Sequence, residues 1–270
     1  MALFASLAAL GQISSGQMPA AATSPGQELA SCVIQLSDSE RIRSLSALSA
    51  GEREAFYRAL DSAQFITLGR KALAGLGLYR ARLIKSERVG TRSHGPDVVE
   101  VTIREKPRAV LVDFVDGKHK GRRALYNVEL RPHEMLARES GILGLFSLWL
   151  SLDSSLVRRD TNHSIAEVGF GAMIDLMQTD QAKAASAGGY RRLDEGFDAR
   201  GLFCILFTAP PSVQNLYAKR LRFCVDAGLG LPLKIEIFDD QGLREHVEFH
   251  NLRAHLALPS DFFTPKGAGL

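Results

Sequence analysis

The chain has 270 residues, of which 46% are hydrophobic and 23% charged, with a formal net charge of +3. That length suits one large domain or two small ones, and the composition supplies a sizeable core. The dispersed basic residues exclude a nucleic-acid surface, and no apolar run reaches the roughly 18–20 residues of a membrane span.

Residues 1–25 read as a signal-like or disordered leader. Residues 2–10 are apolar and small, and Ala20, Ala21 and Ala22 offer a small-residue cleavage site. No Lys or Arg precedes Arg41, so the positive end of a signal peptide is expected upstream of Met1. The expected location is the periplasm or cell envelope. Cys32 closes a Leu-Ala-Ser-Cys sequence of the kind that is lipidated, but the polar residues before it include Pro25 and Gly26. Lipid attachment at Cys32 is therefore not expected.

Residues 26–76 read as a helical segment. Ser49 and Glu52 form a capping pattern for a helix over 50–60. Phe56, Ala59, Leu60 and Ala63 share one face, residues 65–73 continue the helix, and Gly75 and Gly77 end it. From Leu78 the hydrophobic period becomes two. Residues 79–88 form a long charged strand. Val99, Val101 and Ile103 alternate with Glu100, Thr102 and Arg104, and Pro107 closes that strand. Residues 109–115 are apolar on both sides and read as central. A turn over 116–121 leads into a strand over 123–130, giving an antiparallel meander.

A helical insertion at about 142–189 interrupts the meander. Ile142, Leu145, Phe146 and Trp149 have helical spacing and are the lid candidates. From a cap at Asn162 or Ser164, Ile165, Val168, Ala172, Leu176 and Met177 recur on one helical face. Gly169 and Gly171 allow such a helix to approach a sheet closely. Strands resume over 202–208, 217–226, 231–238 and 242–258, with a hairpin turn at 239–242. No βαβ alternation appears, so the fold class is α+β, a curved antiparallel sheet with a covering helix. A sheet domain over 77–264 is expected.

Three cysteines do not make a disulfide scaffold. A hairpin with Phe203 opposite Val225, Ile205 opposite Phe223 and Phe207 opposite Leu221 nevertheless puts Cys204 opposite Cys224 on the other face. A one-residue slip breaks both matches. Cys204 and Cys224 are therefore the disulfide candidate, which fits an oxidising compartment. The alternative is two free thiols that pack.

Readable enzyme chemistry is not found. The seven histidines form no metal-binding spacing. His246 and His250 share a strand face but lie roughly 13 Å apart along it. No phosphate loop or nucleophile elbow appears, and Asp153, Asp160, Glu167 and Asp175 are scattered. No catalytic residue, metal or cofactor is expected.

Five segments together resemble a bacterial exported family described as a domain of unknown function, with a fold like the LolA/LolB lipoprotein carriers. They are VTIREKPRAVLV (101–112), KGRRALY (120–126), HSIAEVGFGAMIDLM (163–177), GLPLKIEIFD (230–239) and LALPSDFF (256–263). The resemblance spans roughly residues 72–263. It implies an incomplete, open β-barrel with a helical plug or lid and an apolar interior, which in carriers of this fold holds acyl chains. The residues give the cavity candidates: Leu111, Ile165, Val168, Met173, Leu176, Met177, Phe203, Ile205, Phe223, Ile235 and Ile237. The expected function is non-catalytic binding of a lipid or a lipoprotein acyl chain. A self-filled barrel that meets an envelope protein is the alternative, and an uncharacterised hydrolase the second. A filled core is the competing reading of the cavity candidates.

Overall fold

The computed structural model describes residues 25–141, 144 and 146–270. The leader reading falls almost wholly outside these residues, as do the lid candidates Ile142 and Leu145. Four helices open the described chain: α1 (Pro25–Gln35), α2 (Asp38–Ala47), α3 (Ala50–Ala59) and α4 (Ser62–Leu76). Capping boxes start three of them. Ser49 pairs with Glu52 at α3, Ser37 with Glu40 at α2, and Asp61 with Gln64 at α4. The Asp61 cap splits into two helices what the apolar spacing reads as one. Phe65, Leu68, Gly69, Ala72 and Leu76 are the buried stripe of α4. Gly77 ends it at φ +60°, a conformation that an L side chain rarely adopts.

Eleven strands then form one antiparallel sheet: β1 (Leu78–Val89), β2 (Arg92–Arg104), β3 (Ala109–Asp116), β4 (Arg123–Asn127), β5 (Glu134–Arg138), β6 (Leu148–Ser151), β7 (Arg191–Phe197), β8 (Leu202–Thr208), β9 (Arg220–Asp226), β10 (Pro232–Asp239) and β11 (Gly242–Arg253). Their spatial order is β6-β5-β4-β3-β2-β1-β11-β10-β9-β8-β7. The first and last strands therefore pair at the middle, and the sheet stays open at β6 and β7. It is a curved half-barrel. The chain meanders out to one edge, crosses to the other, and meanders back. The crossing carries the short helix α5 (Ser155–Arg158), a 3-10 turn over Ile165–Glu167 and the long helix α6 (Phe170–Ala184).

One hydrophobic cluster fills the concave side. Val99, Val101 and Ile103 of β2 meet Phe203, Ile205 and Phe207 of β8, Phe223 of β9, Ile235 and Ile237 of β10, and the inner faces of α1, α3, α4 and α6. A second cluster lies on the convex side, where Ala109, Leu111, Leu125 and Leu136 pack under Phe263 and Ala268 of the C-terminal segment. Asn127 Nδ2 donates to the Phe263 carbonyl at 3.0 Å, and the Arg104 guanidinium sits 5.5 Å above the Phe263 ring.

The β8–β9 register pairs Phe203 with Val225, Cys204 with Cys224, and Ile205 with Phe223. The Cys204 and Cys224 sulfurs are bonded, beside Leu202 and Leu233. Cys32 lies in α1, exposed and unbonded.

Four expectations need correction. Leu111 faces the convex cluster, away from the concave side. Residues 109–115 are apolar on both faces, so periodicity does not choose between them. Leu148–Ser151 is an edge strand, with Leu136 opposite Trp149, and does not form a lid helix. Trp149 therefore packs against the convex cluster, with Arg131 4.3 Å above its ring, and Phe146 is exposed. The helix expected from Ser164 begins only at Phe170, because Gly169 breaks the path at φ +119°. The 142–189 insertion is also not wholly helical, since it contains β6.

Candidate functional site

The concave face is the expected ligand cavity, and its own side chains fill it. Phe203, Ile205, Phe223, Ile235, Ile237, Met173, Met177 and Ile165 are buried in one continuous cluster, with Val168 and Leu176 packed at its margin. The void left between α4, α6 and the sheet is about 10 Å³, beside Phe65, Gly69, Ile174, Met177 and Phe223. That holds about one water-sized sphere. Two buried side chains that complete the filling, Phe170 and Ile174, escape the sequence reading. Phe170 stacks 5.2 Å from the Tyr79 ring and lies 4.3 Å from the Phe249 ring.

Two glycines set how closely α6 seats. A Cβ at Gly169 would come within 2.7 Å of the Tyr79 hydroxyl and 2.8 Å of Ile103 Cδ1. A Cβ at Gly69 would meet Ile174 Cδ1 at 3.3 Å.

Polar anchors then fix the crossing at three places. At the start of α6, the Tyr79 hydroxyl donates to Glu105 Oε1 at 2.7 Å, and Arg108 donates to Glu105 Oε2 at 2.5 Å. Arg108 also donates to the carbonyls of Ala166 and Val168. The Arg-Glu-Lys-Pro segment at 104–107, through the adjoining Arg108, and the segment from His163 thus meet in space. Burial, followed by the Glu105 charge, pushes the Tyr79 hydroxyl well above its ordinary pKa, so it stays a donor.

Upstream, residues 162–163 dock between paired β1 and β11. The Asn162 backbone N–H donates to Glu87 Oε2 at 2.8 Å, and its Nδ2 donates to Glu245 Oε1 at 2.9 Å. His163 Nε2 donates to Glu245 Oε2 at 2.9 Å and lies 2.9 Å from the Tyr217 hydroxyl, which itself donates to Glu245 Oε1. Glu87 and Glu245 are both buried and sit opposite each other in register. Burial alone would lower the His163 pKa, but the hydrogen bond and charge of Glu245 outweigh it and raise the pKa. Burial alone would likewise raise Glu245, and the His163 contact lowers it instead. The result is a hydrogen-bonded pair between a buried carboxylate and a partly buried imidazole, an ion pair when His163 is protonated.

At the far end of α6, buried Asp180 accepts from the Ala218 backbone N–H at 3.0 Å, and Arg70 of α4 pairs with Asp175. These anchors come from β1, the β2–β3 turn, the loop before β9, β11 and α4. Chemically, they hold a strap. His163 and Glu245 form an acid–base pair, and the one hydroxyl beside the imidazole among the described residues, Tyr217, is itself tied to Glu245. His246 and His250 bond to Glu236 and Glu248 respectively, on the charged outer face of the sheet.

Among the described residues, one trio of ligand-type atoms lies close enough to share an ion: Asp198, Cys204 and Cys224. The two sulfurs are bonded to each other and offer no thiolate, so this trio does not fit a metal. No helix among the described residues is long and apolar enough to cross a membrane.

An open antiparallel half-barrel closed by a crossing helix defines the class, an α+β fold. The chain belongs to the family described as "Protein of unknown function (DUF1571)", whose model matches residues 77–268. No curated protein matches it. Among solved structures it is similar to an uncharacterized conserved protein from Thermus thermophilus, at 11% identity and a TM-score of 0.44, covering 75% of this chain and 93% of that one. It is also similar to lipoprotein LppX from Mycobacterium tuberculosis, at 13% identity and a TM-score of 0.41, covering 73% and 99%. A LolA superfamily protein from Nitrosomonas europaea is similar at 12% identity and a TM-score of 0.33, covering 76% and 98%.

Proposed function

We propose that this protein is a non-catalytic binding module of the cell envelope, with a half-barrel filled by its own helices, that acts through its surface. The observation that carries this reading is the filled concave face, with about 10 Å³ left beside α4 and α6. A ligand cavity for a drug-sized molecule is roughly 300–1,000 Å³. The anchors at Glu105, Glu245 and Asp180 support it, because a ligand entering under α6 would have to break buried hydrogen bonds on several elements. The Cys204–Cys224 bond supports an oxidising compartment, as does the apolar start of the chain.

A second reading keeps the carrier role. The residual void lies on the α4–α6 seam, where Gly69 meets Ile174, and an acyl chain could enter there by parting the helices. Native mass spectrometry of the full chain purified from its source separates the two. The self-filled module is expected to carry no lipid. A stoichiometric acyl-chain adduct that survives purification would establish the carrier instead.

A further inference from the structure

At the hairpin end of the half-barrel, a surface cleft of about 640 Å³ is lined by Arg92, Ser93, His94, Gly95, Lys118, Arg159 and Asp160. Three segments build it: the start of β2, the β3–β4 turn, and the chain just after α5. One glycine lets the β3–β4 turn close on β2, and a second seats β2 against β1. A Cβ at Gly117 would come within 2.5 Å of Asp97 Oδ1 and 2.8 Å of the Pro96 carbonyl. A Cβ at Gly95 would meet the Lys85 carbonyl at 2.5 Å. Only bare backbone permits either approach, and the first carries Lys118 to the wall formed by Arg92 and His94.

The charge of the lining is one-sided. Arg92, Lys118 and Arg159 face a single carboxylate, Asp160, which Arg159 approaches at 3.4 Å. Arg92 and Lys118 take part in no ion pair among the described residues. Other arginines nearby are paired, Arg88 with Asp239 and Arg122 with Glu139. His94 in the lining and His119 behind it approach the same carboxylate: His94 Nδ1 lies 3.7 Å from Asp160 Oδ1, and His119 Nε2 lies 4.0 Å from Asp160 Oδ2. Of the lining atoms, His94 Nε2 is buried without a hydrogen-bond partner. Buried polar atoms left in that state are uncommon, and a bound ion is one way they are completed.

We infer that this cleft binds a phosphate group, carried by a free phosphate compound or by a phospholipid headgroup. Two guanidinium forks and one ammonium match the oxygens of a phosphate. The excess of cations over carboxylate matches its charge of about −1 to −2. The site lies on the surface of the module proposed above, and it stands whether or not the interior holds an acyl chain.

The test uses the full chain with two probes, inorganic phosphate followed by calorimetry, and vesicles of phosphatidylglycerol against vesicles of phosphatidylcholine. Saturable binding is expected, with a Kd of roughly 1 mM or tighter for phosphate. The double variant Arg92→Gln, Lys118→Gln is expected to weaken it about tenfold or more. Both side chains are exposed, so the fold should survive, and Arg159→Gln is an independent second variant. Binding of phosphate alone assigns the source to a free compound. Binding to phosphatidylglycerol vesicles that phosphate competes away assigns it to a headgroup. No saturable binding to either probe, or binding unchanged in both variants, overturns the inference. Equal competition by polyglutamate also overturns it, in favour of an acidic protein partner. A lipid that co-purifies and persists in the double variant occupies the interior and refutes the self-filled reading alone.

Discussion

Phe170→Ala tests whether α6 is part of the core or a movable cover. The Phe170 ring is fully buried between Tyr79 and Phe249. A buried aromatic side chain hides about 150 Å² or more, worth about 4 kcal/mol at about 25 cal/mol per Å². Alanine recovers a small part of this, while two ring contacts of about 0.5–1.5 kcal/mol each are lost. The net expectation is a loss of about 3–5 kcal/mol, in line with other buried Phe→Ala changes. For a protein of this size that lowers Tm by about 6–20 °C. Urea unfolding and thermal scans of the full chain measure it, with exposed Leu193→Ala as the control, expected within about 0.5 kcal/mol of the parent. The truncated site leaves an apolar hole the size of a ring, so benzene should raise the Tm of the variant and leave the parent unchanged. A loss below about 1 kcal/mol would refute the reasoning, since α6 would then contribute little to the folded state. Stabilisation of the parent by benzene would refute it as well.

Three further outcomes follow from the same contacts. Cys204 and Cys224 are 20 residues apart, so breaking their bond removes about 3 kcal/mol of unfolded-state constraint. Cys224→Ser should melt about 6–12 °C lower, and alkylation of the unfolded, unreduced parent should modify Cys32 alone; modification of all three cysteines would refute the pairing. The pair of His163 and Glu245 should contribute most between about pH 4.5 and 6.5. The raised His163 pKa makes its share fade as pH climbs past that upper value, and the lowered Glu245 pKa makes its share fade as pH falls below the lower one. Glu245→Gln should cost about 3 kcal/mol near pH 5.5 and flatten the pH profile of stability; an unchanged profile would show that the pair is not coupled to folding. Deleting the chain through Leu76 should uncover the Phe65 contacts with Phe207 and Phe223 and give a product that binds a hydrophobic dye; a soluble product without dye binding would show that α1–α4 are dispensable to the core.

The strands that alternate cleanly were legible in the sequence. Phe203, Ile205 and Phe207 against Leu221, Phe223 and Val225 define a register, and Cys204 and Cys224 follow from it because side chains alternate strictly. Strands without that alternation were not legible. β7 reads Arg-Arg-Leu-Asp-Glu-Gly-Phe, a charged edge strand whose Leu193 is exposed, and β6 has four residues. Gly169 hid the break in the crossing because Ile165 and Val168 keep helical spacing on its upstream side. The polar features were invisible for a different reason. Asp160 meets His94 and His119 from separate segments, and Glu245 meets Asn162 and His163 across 82 residues or more. Spacing along the chain carries no information about such meetings.

The topology explains why the concave face is covered. The chain leaves one sheet edge at β6 and must reach the opposite edge at β7, because β1 and β11 already occupy the centre. A path of that length runs across a face of the sheet, and only a helix can cross an apolar face with its own backbone hydrogen bonds satisfied. α6 is therefore fixed by connectivity at both ends, while α4 enters from the N-terminal side and meets it at Gly69 and Ile174. A free lid needs one end able to swing. Here Arg108 holds the start of α6, Asp180 holds its end, and Asn162 and His163 hold the approach. Opening the half-barrel thus requires separating α4 from α6, and the contact to probe for any hidden cavity is the one between Gly69 and Ile174.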